Sequence, residues 1–191
     1  MSAVELHPDE ADRLIAAAQV ELRLERGERA GRAWVGPEGA LLQYPLPDGG
    51  ERRLRIEPQL LVDALVRLND VGPRPAHEKS SRIVLPAGGL ADALARRDAS
   101  RVALEDAERS DALRELIGSL REHWRVVSRW DAPAGQLGGR MLEVLDTDAG
   151  YWLVVPDGAS VELWPVTATD VFRALCRLFP GPSELLEEPP A

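Results

Sequence analysis

The chain has 191 residues, of which 45% are hydrophobic and 29% charged, a profile typical of a soluble globular protein with a sizeable core. Its net charge of −9 argues against a general phosphate-binding surface, so we expect no nucleic-acid partner. The single cysteine, Cys176, excludes an intramolecular disulfide and fits a reducing compartment. No secretory leader is visible, and no apolar run approaches the ~20 residues that a membrane span needs. We therefore expect a cytoplasmic protein without a membrane partner.

The first half alternates turn signals with short periodic segments. Residues 8–20 predict a helix that begins at a proline and two acids. The charged residues 21–32 predict either a weak strand or a mobile connection. A strand over 41–46 and a cleanly alternating strand over 53–57 follow, joined by the turn sequence of residues 47–50. A helix with one apolar side covers residues 59–68.

The second half begins with a loop at residues 73–81. After it we predict a short strand over 82–85, a helix over 90–97, a long helix over 104–123, a strand over 124–130 and a flexible loop over 132–139. Residues 141–179 then read as three short strands and a closing helix. The tail after Phe179 is rich in proline and glutamate, which predicts disorder.

Residues 34–68 and 141–179 align as two copies of one unit. Pro47-Asp48-Gly49 aligns with Pro156-Asp157-Gly158, and the strand–proline segment 54–58 aligns with 161–165. The helix at 62–68 aligns with 172–178. We therefore predict an internal duplication in which each copy is a β-meander followed by a helix.

The predicted fold class is α+β, with two related halves that are each an antiparallel β-meander backed by helices. The N-terminal half covers 1–85, a helical connection covers 86–123, and the second meander–helix unit covers 124–179. Residues 180–191 form the predicted disordered tail.

The two copies differ at their outward positions. Trp152 stands where the first copy has Gln43, and Trp164 stands where it has Glu57, so both tryptophans fall on the face that the first copy leaves polar. Trp130 belongs to another alternating strand. Two interpretations are open: another element, such as the helix at 104–123, covers these rings, or they form a patch that binds a protein partner.

The residues that could act in catalysis or bind a metal do not form a recognisable pattern for either role. The three histidines lack metal-ligand spacing, and the serines lack a nucleophile elbow. His123 is predicted at a helix end, and Cys176 on the core side of the last helix. Asp146 to Gly150 resembles the start of a calcium loop but lacks the later ligands, so a turn is the preferred interpretation. We predict a protein that is not an enzyme and binds no cofactor or metal.

The C-terminal third resembles the EspG family of chaperones associated with type VII secretion. The resemblance is carried by Val144-Leu145-Asp146-Thr147-Asp148, Gly150-Tyr151-Trp152-Leu153, Pro165-Val166-Thr167 and the helix from Asp170 to Leu178. It implies a cytosolic, actinobacterial, non-enzymatic chaperone with pseudo-twofold halves and a protein partner. The basic residues, which are all arginine except Lys79, fit a GC-rich bacterial genome.

Two other function classes stay open from the sequence. One is a small-ligand sensor or divergent enzyme with a pocket between the two halves. The other is a structural module that forms homo-oligomers through an exposed sheet edge. Neither has a motif of its own in the chain.

Overall fold

The structure is a computed structural model that describes residues 4–27, 29–46, 48–75, 82–98, 102 and 107–185. Within these residues it has ten strands and six α-helices. The strands are β1 (Val4–Glu5), β2 (Val20–Arg26), β3 (Arg29–Gly36), β4 (Gly39–Pro45), β5 (Glu51–Ile56), β6 (Ile83–Pro86), β7 (Leu120–Ala132), β8 (Gln136–Thr147), β9 (Gly150–Asp157) and β10 (Ser160–Val166). The helices are α1 (Pro8–Ala16), α2 (Leu61–Leu68), α3 (Gly89–Arg96), α4 (Ala107–Gly118), α5 (Ala168–Cys176) and α6 (Pro182–Leu185). All the registered strand pairs are antiparallel.

The chain groups into two compact units. The first comprises Met1–Val71, Trp124–Leu142 and Phe172–Ala191, and the second comprises Gly72–His123 and Glu143–Val171. Strands β7 and β8 contribute residues to both units, so each unit is assembled from separated segments. The sequence instead predicts consecutive halves joined by a helical connection, and that division stays a prediction.

In the first unit the strand order is β1-β5-β4-β3-β2-β7-β8. Alternation in β2 buries Val20, Leu22 and Leu24 on one face and exposes the charged side chains between them on the other. The charged segment 21–32, for which the sequence left a mobile connection open, therefore forms most of a strand pair. The segment forms paired strands rather than a mobile connection because every second residue supplies an apolar or small side chain to the core.

Helix α1 covers one end of the opposite face of the same sheet. Leu14 packs there with Trp34 and Leu41 in a small buried cluster. The helix end approaches β3 closely, since a Cβ added at Gly36 would lie 2.5 Å from the backbone oxygen of Ala17. Glycine at this position is what allows the contact.

In the second unit β9 follows β8, and β10 lies between β9 and the edge strand β6. Helices α3 and α4 cover one face of these strands. Their shared core comprises Ile83, Leu85, Leu90, Ala93, Leu113, Leu116, Ile117, Leu145, Trp152, Val154 and Leu163. The spacing of Leu113, Leu116 and Ile117 places one side of α4 against the sheet.

The long helix predicted over 104–123 is wrong at its C-terminal end, and residues 103–106 lie outside the described part of the chain. Helix α4 ends at Gly118, and β7 starts two residues later at Leu120. Glycine ends a helix readily, and the buried positions Trp124, Val126 and Trp130 then alternate as a strand requires. The predicted loop at 132–139 is also shorter, because β8 begins at Gln136.

The predicted α+β class with antiparallel strands and backing helices is confirmed, while the internal duplication stays a prediction. Pro47, one residue of the aligned turn sequence, lies outside the described residues, as does the tail from 186 to 191. Among the described helices, none combines the length and apolar character required to cross a membrane.

Candidate partner-binding site

Trp164 is the most prominent exposed aromatic side chain of the second unit, with 43% of its surface accessible. Its indole N–H donates a hydrogen bond of 2.8 Å to Oε2 of Glu162. Arg82 donates from Nη1 to the same carboxylate oxygen at 2.9 Å, and its guanidinium carbon lies 5.7 Å from the centre of a Trp164 ring. We call these three residues the Trp164 cluster.

The cluster follows from strand geometry. Glu162 and Trp164 are two residues apart on β10, so they share one face. Leu163 pairs with Ile83 on β6, which brings the preceding residue, Arg82, across from Trp164. The Glu162 side chain is only 12% exposed, so its carboxylate is held in place and orients both partners. The tryptophan is therefore exposed and restrained by its neighbours.

Apolar side chains border the cluster on the same face. Leu153 on β9 is directly opposite Trp164, and Val155 is opposite Glu162. Val84 on β6 is opposite Glu162 from the other side. All three are partly buried. The helices α3 and α4 pack on the other face, so this face of β6, β10 and β9 presents a tryptophan with an apolar surround.

Trp152, the second predicted patch residue, is buried rather than exposed. Only 5% of its surface is accessible, and it belongs to the core cluster beneath α3 and α4. The structure therefore agrees with the interpretation in which another element covers this ring, because residues of α4 such as Leu113 belong to the same cluster.

Trp152 and Trp164 lie on opposite faces, which corrects the expectation that they share one. Trp152 pairs with Pro165, the neighbour of Trp164, and side chains on consecutive residues of a strand point to opposite sides. The cause is the length of the turn between the strands. Five residues separate the paired Pro45 and Glu51 (46 to 50), whereas two separate the paired Asp157 and Ser160 (158 and 159). An odd difference in turn length reverses the face of every side chain that follows.

Trp130, the third predicted patch residue, is also buried at 5% exposure, in the first unit. The guanidinium carbon of Arg140 lies 5.2 Å from the centre of its ring. Gly138 permits this packing, because a Cβ there would lie 2.3 Å from the ring atoms Nε1 and Cε2. Arg140 also donates to the carbonyl of Phe179 at 2.6 Å and to both carboxylate oxygens of Glu184 at 2.7 Å. The Trp130 site therefore anchors the C-terminal segment, including part of the predicted tail.

Glu184 receives a second donor from the backbone. The N–H of Gly181 donates to its Oε2 at 2.7 Å. This bond is the main reason that the pKa of the Glu184 carboxyl is lowered below its usual value; burial opposes it, and the Arg140 guanidinium adds to the lowering. The carboxylate form is therefore the one that holds α6 in place.

One ion pair in the second unit was not predicted from the sequence. Arg74 donates from Nε and Nη2 to the two oxygens of Asp146, at 3.0 and 2.9 Å. The guanidinium lies 5.5 Å from the Tyr151 ring centre, and the Tyr151 hydroxyl donates to the carbonyl of Gly72 at 3.1 Å. Asp146, predicted in a turn, is thus a buried strand residue that ties the segment after Val71 to the sheet. The 72-residue separation of the ion-pair partners left no local sequence signal.

Two further predictions about reactive residues are wrong. His123 lies inside β7, with Nε2 2.8 Å from Oε1 of Glu143, rather than at a helix end. Cys176, predicted on the core side, is exposed at the end of α5. His77 lies outside the described residues. Among the residues that the structure describes, no three His, Cys, Asp or Glu side chains are grouped so that they could hold a metal ion.

No protein-family model matches the chain, and no curated protein matches its sequence. Among solved structures, the fold is similar to that of the Mycobacterium tuberculosis type VII secretion system chaperone EspG5, determined in complex with the PE25–PPE41 dimer. The match has a TM-score of 0.56 at 12% sequence identity and covers 91% of this chain and 78% of the EspG5 chain. The resemblance to the EspG family predicted from the C-terminal third is therefore confirmed as a likeness of fold that extends over most of the chain.

Proposed function

We propose that this protein is a cytoplasmic, non-enzymatic chaperone or adaptor that binds a substrate of a type VII secretion system. The observation that carries the proposal is the fold likeness to EspG5, a chaperone whose structure was determined with a bound PE25–PPE41 dimer. By this likeness the expected partner is a protein of the PE–PPE kind. The arginine-rich composition is compatible with an actinobacterial source.

The Trp164 cluster is the surface that we propose as part of the contact. Tryptophan and arginine are the residues that most often dominate binding energy at protein interfaces. The hydrogen bond from Trp164 to Glu162 and the Arg82 guanidinium restrain the ring before a partner arrives. A restrained anchor loses less conformational entropy on binding than a mobile one, which raises affinity.

Trp152 and Trp130 have a different role in this proposal. Both are buried, so each supports the fold from within and neither contacts the partner directly. Trp152 lies in the core behind the strands that present Trp164. The prediction of three contacting tryptophans therefore narrows to one, Trp164.

Homo-oligomer formation through a sheet edge receives little support from the strand lengths. β1 has two residues, and β6 has four and ends at Pro86. Short strands and proline are common means by which proteins limit pairing at sheet edges. A heterologous protein partner fits the exposed tryptophan better.

The test is co-expression of this protein with each PE–PPE dimer encoded in its source genome. We expect one dimer to co-elute with it in size-exclusion chromatography and to become more soluble in its presence. Calorimetric titration should show Trp164→Ala weakening that complex by about thirtyfold, the effect of a typical hot-spot residue.

Leu137→Ala is the matched control, because Leu137 is exposed at 71% and lies in the first unit. It should leave the affinity unchanged. If no PE–PPE dimer binds, the proposed function is refuted. If a dimer binds equally well to Trp164→Ala and to the unaltered protein, the function stands and the proposed contact is wrong.

A further inference from the structure

The first unit has an open, charged sheet face that is separate from the Trp164 cluster. On this face Arg23 of β2 is directly opposite Arg32 of β3, and on its other side it is opposite Val127 of β7. Two residues further along the β2–β7 pair, Glu21 is opposite Arg129. Helix α1 covers the neighbouring end of the face, around Trp34 and Leu41, and leaves these positions uncovered.

Three of the arginines on this face make no ion pair or hydrogen bond through their side chains within the described part of the chain. Arg23, Arg32 and Arg129 are all exposed. By contrast, Arg125 on the same face donates to Oε2 of Glu25. Like charges directly opposite one another on neighbouring strands repel, so the Arg23–Arg32 pair destabilises the sheet unless an anion lies between them.

The face is concave enough to receive a ligand. One depression of about 340 Å³ is lined by Glu21, Arg23, Glu25, Arg125, Val127, Arg129 and Met141. A second depression of about 520 Å³ shares Arg23 and Glu25 with the first and continues to Arg32 and Gln43. Met141 is 45% exposed and, with Val127, provides an apolar part of the surface.

We propose that this face binds an extended, acidic peptide segment of a partner protein. The spaced guanidinium groups match carboxylates that recur along such a segment, because each can accept two parallel hydrogen bonds from one arginine. Val127 and Met141 suit an apolar side chain placed between the acids.

A nucleic acid fits the same face less well. Glu21, Glu25 and Glu51 are interleaved with the arginines. A nucleic-acid backbone carries a phosphate at every nucleotide and would meet these carboxylates, whereas a peptide can place uncharged residues against them.

The experiment uses the full chain and a fluorescein-labelled peptide of repeated Glu-Glu-Leu, with binding followed by fluorescence anisotropy at low salt. We expect saturable binding that weakens as salt increases, and weaker binding of a Gln-Gln-Leu peptide. The double variant R23E/R32E should lower the affinity for the acidic peptide about tenfold or more, because two attractive contacts become repulsive.

Arg52→Glu is the matched control. Arg52 is exposed on β5 of the same unit, and its pairing with Tyr44 places it on the opposite sheet face from Arg53 and Gln43. It should leave the affinity within about twofold, because its side chain points away from the face that carries Arg23 and Arg32. Urea unfolding of each variant shows whether the fold is retained, and R23K/R32K keeps the charge and should retain most of the binding.

Equal affinity of R23E/R32E and the unaltered protein for the acidic peptide would overturn the proposal. An equal loss from Arg52→Glu would overturn it too, because it would indicate a general charge effect. Displacement of the peptide by a lower concentration of single-stranded oligo-dT would assign the face to a nucleic acid instead. None of these outcomes bears on PE–PPE binding at Trp164, so the two proposals fail separately.

Discussion

Trp152 is buried and Trp164 is exposed, so truncating these two residues should have different effects on folding stability although the changes look alike in the sequence. Replacing Trp152 by alanine removes a ring from the core beneath α3 and α4, where only 5% of the side chain is accessible. Replacing Trp164 removes a ring that is already 43% exposed. We therefore expect a large loss of folding stability from the first change and a small loss from the second.

The magnitudes follow from the area removed from contact. A buried tryptophan covers about 200 Å² of surface, which corresponds to about 5 kcal/mol at 25 cal/mol per Å². Core Trp→Ala changes cost about 3–5 kcal/mol, so we expect about 4 kcal/mol for Trp152→Ala. Trp164→Ala loses roughly half that area, part of which the alanine regains, together with an exposed hydrogen bond and a cation–π contact. We expect about 1.5 kcal/mol for it.

Urea unfolding followed by far-ultraviolet circular dichroism measures both values without depending on tryptophan fluorescence. The slope of free energy against urea should be unchanged in both variants, so that the midpoints report stability directly. A Trp152→Ala variant that unfolds at the same urea concentration as Trp164→Ala would refute the assignment of Trp152 to the core. A loss near 4 kcal/mol for Trp164→Ala would refute its role as a surface residue.

Three further changes test the remaining packing. Gly138→Ala places a Cβ 2.3 Å from Trp130 and should cost about 1–3 kcal/mol in urea unfolding, whereas Gly118→Ala, with nothing within 4 Å, should cost nothing or stabilise. Asp146→Ala removes the carboxylate that pairs with the mostly buried Arg74 guanidinium and should cost about 3 kcal/mol by the same assay. Because the pKa of Glu184 is lowered in the folded protein, its ionised carboxylate stabilises the C-terminal segment at pH above the ordinary glutamate pKa. This stabilisation is lost as the pH falls through the folded-state pKa. Limited proteolysis should therefore release that segment in acid, and Glu184→Gln should remove this pH dependence.

Local pattern was sufficient to predict most of the individual elements. Period-two alternation located β5 and most of β7, and helical spacing located α2 and α3. The pattern failed between Gly118 and Leu120, where helix α4 and strand β7 meet without a loop. The apolar Leu120 at this junction fits both the helical spacing and the strand alternation. It also left residues 21–32 open between a weak strand and a mobile connection, because charged side chains such as Arg23 and Arg32 alternate there with the residues that the strand pair buries.

The orientation of Trp164 relative to Trp152 could not be obtained by copying one repeat onto the other. Side-chain direction depends on the parity of the turn length, and the two turns differ by an odd number of residues. An alignment that introduces or omits one residue in the turn thus reverses the predicted face. The role of Trp164 in partner binding stays a prediction, and the prediction that Trp152 and Trp164 share one sheet face was wrong.

Contacts between distant segments could not be predicted from the sequence for a related reason. Arg82 and Glu162 are 80 residues apart, and Arg74 and Asp146 are 72 apart. Their pairing depends on strand order, which places β6 beside β10 although two α-helices and three strands intervene in the chain. A run of acids or a lone arginine has no preferred partner until that order is known.

Each unit leaves one strand face without a full helical cover, and the two faces differ in chemistry. In the second unit α3 and α4 bury the face that holds Trp152, whereas Trp164 lies on the other face and stays exposed. In the first unit the apolar side chains of β2 fill the core, and the alternate positions carry Arg23 and its neighbours. Because side chains alternate strictly along a strand, the residues that stabilise each sheet and those that present its outer face vary independently. A fold can therefore persist at 12% identity while its binding chemistry changes, so the exposed residues of this chain, rather than the fold likeness, must define any contact.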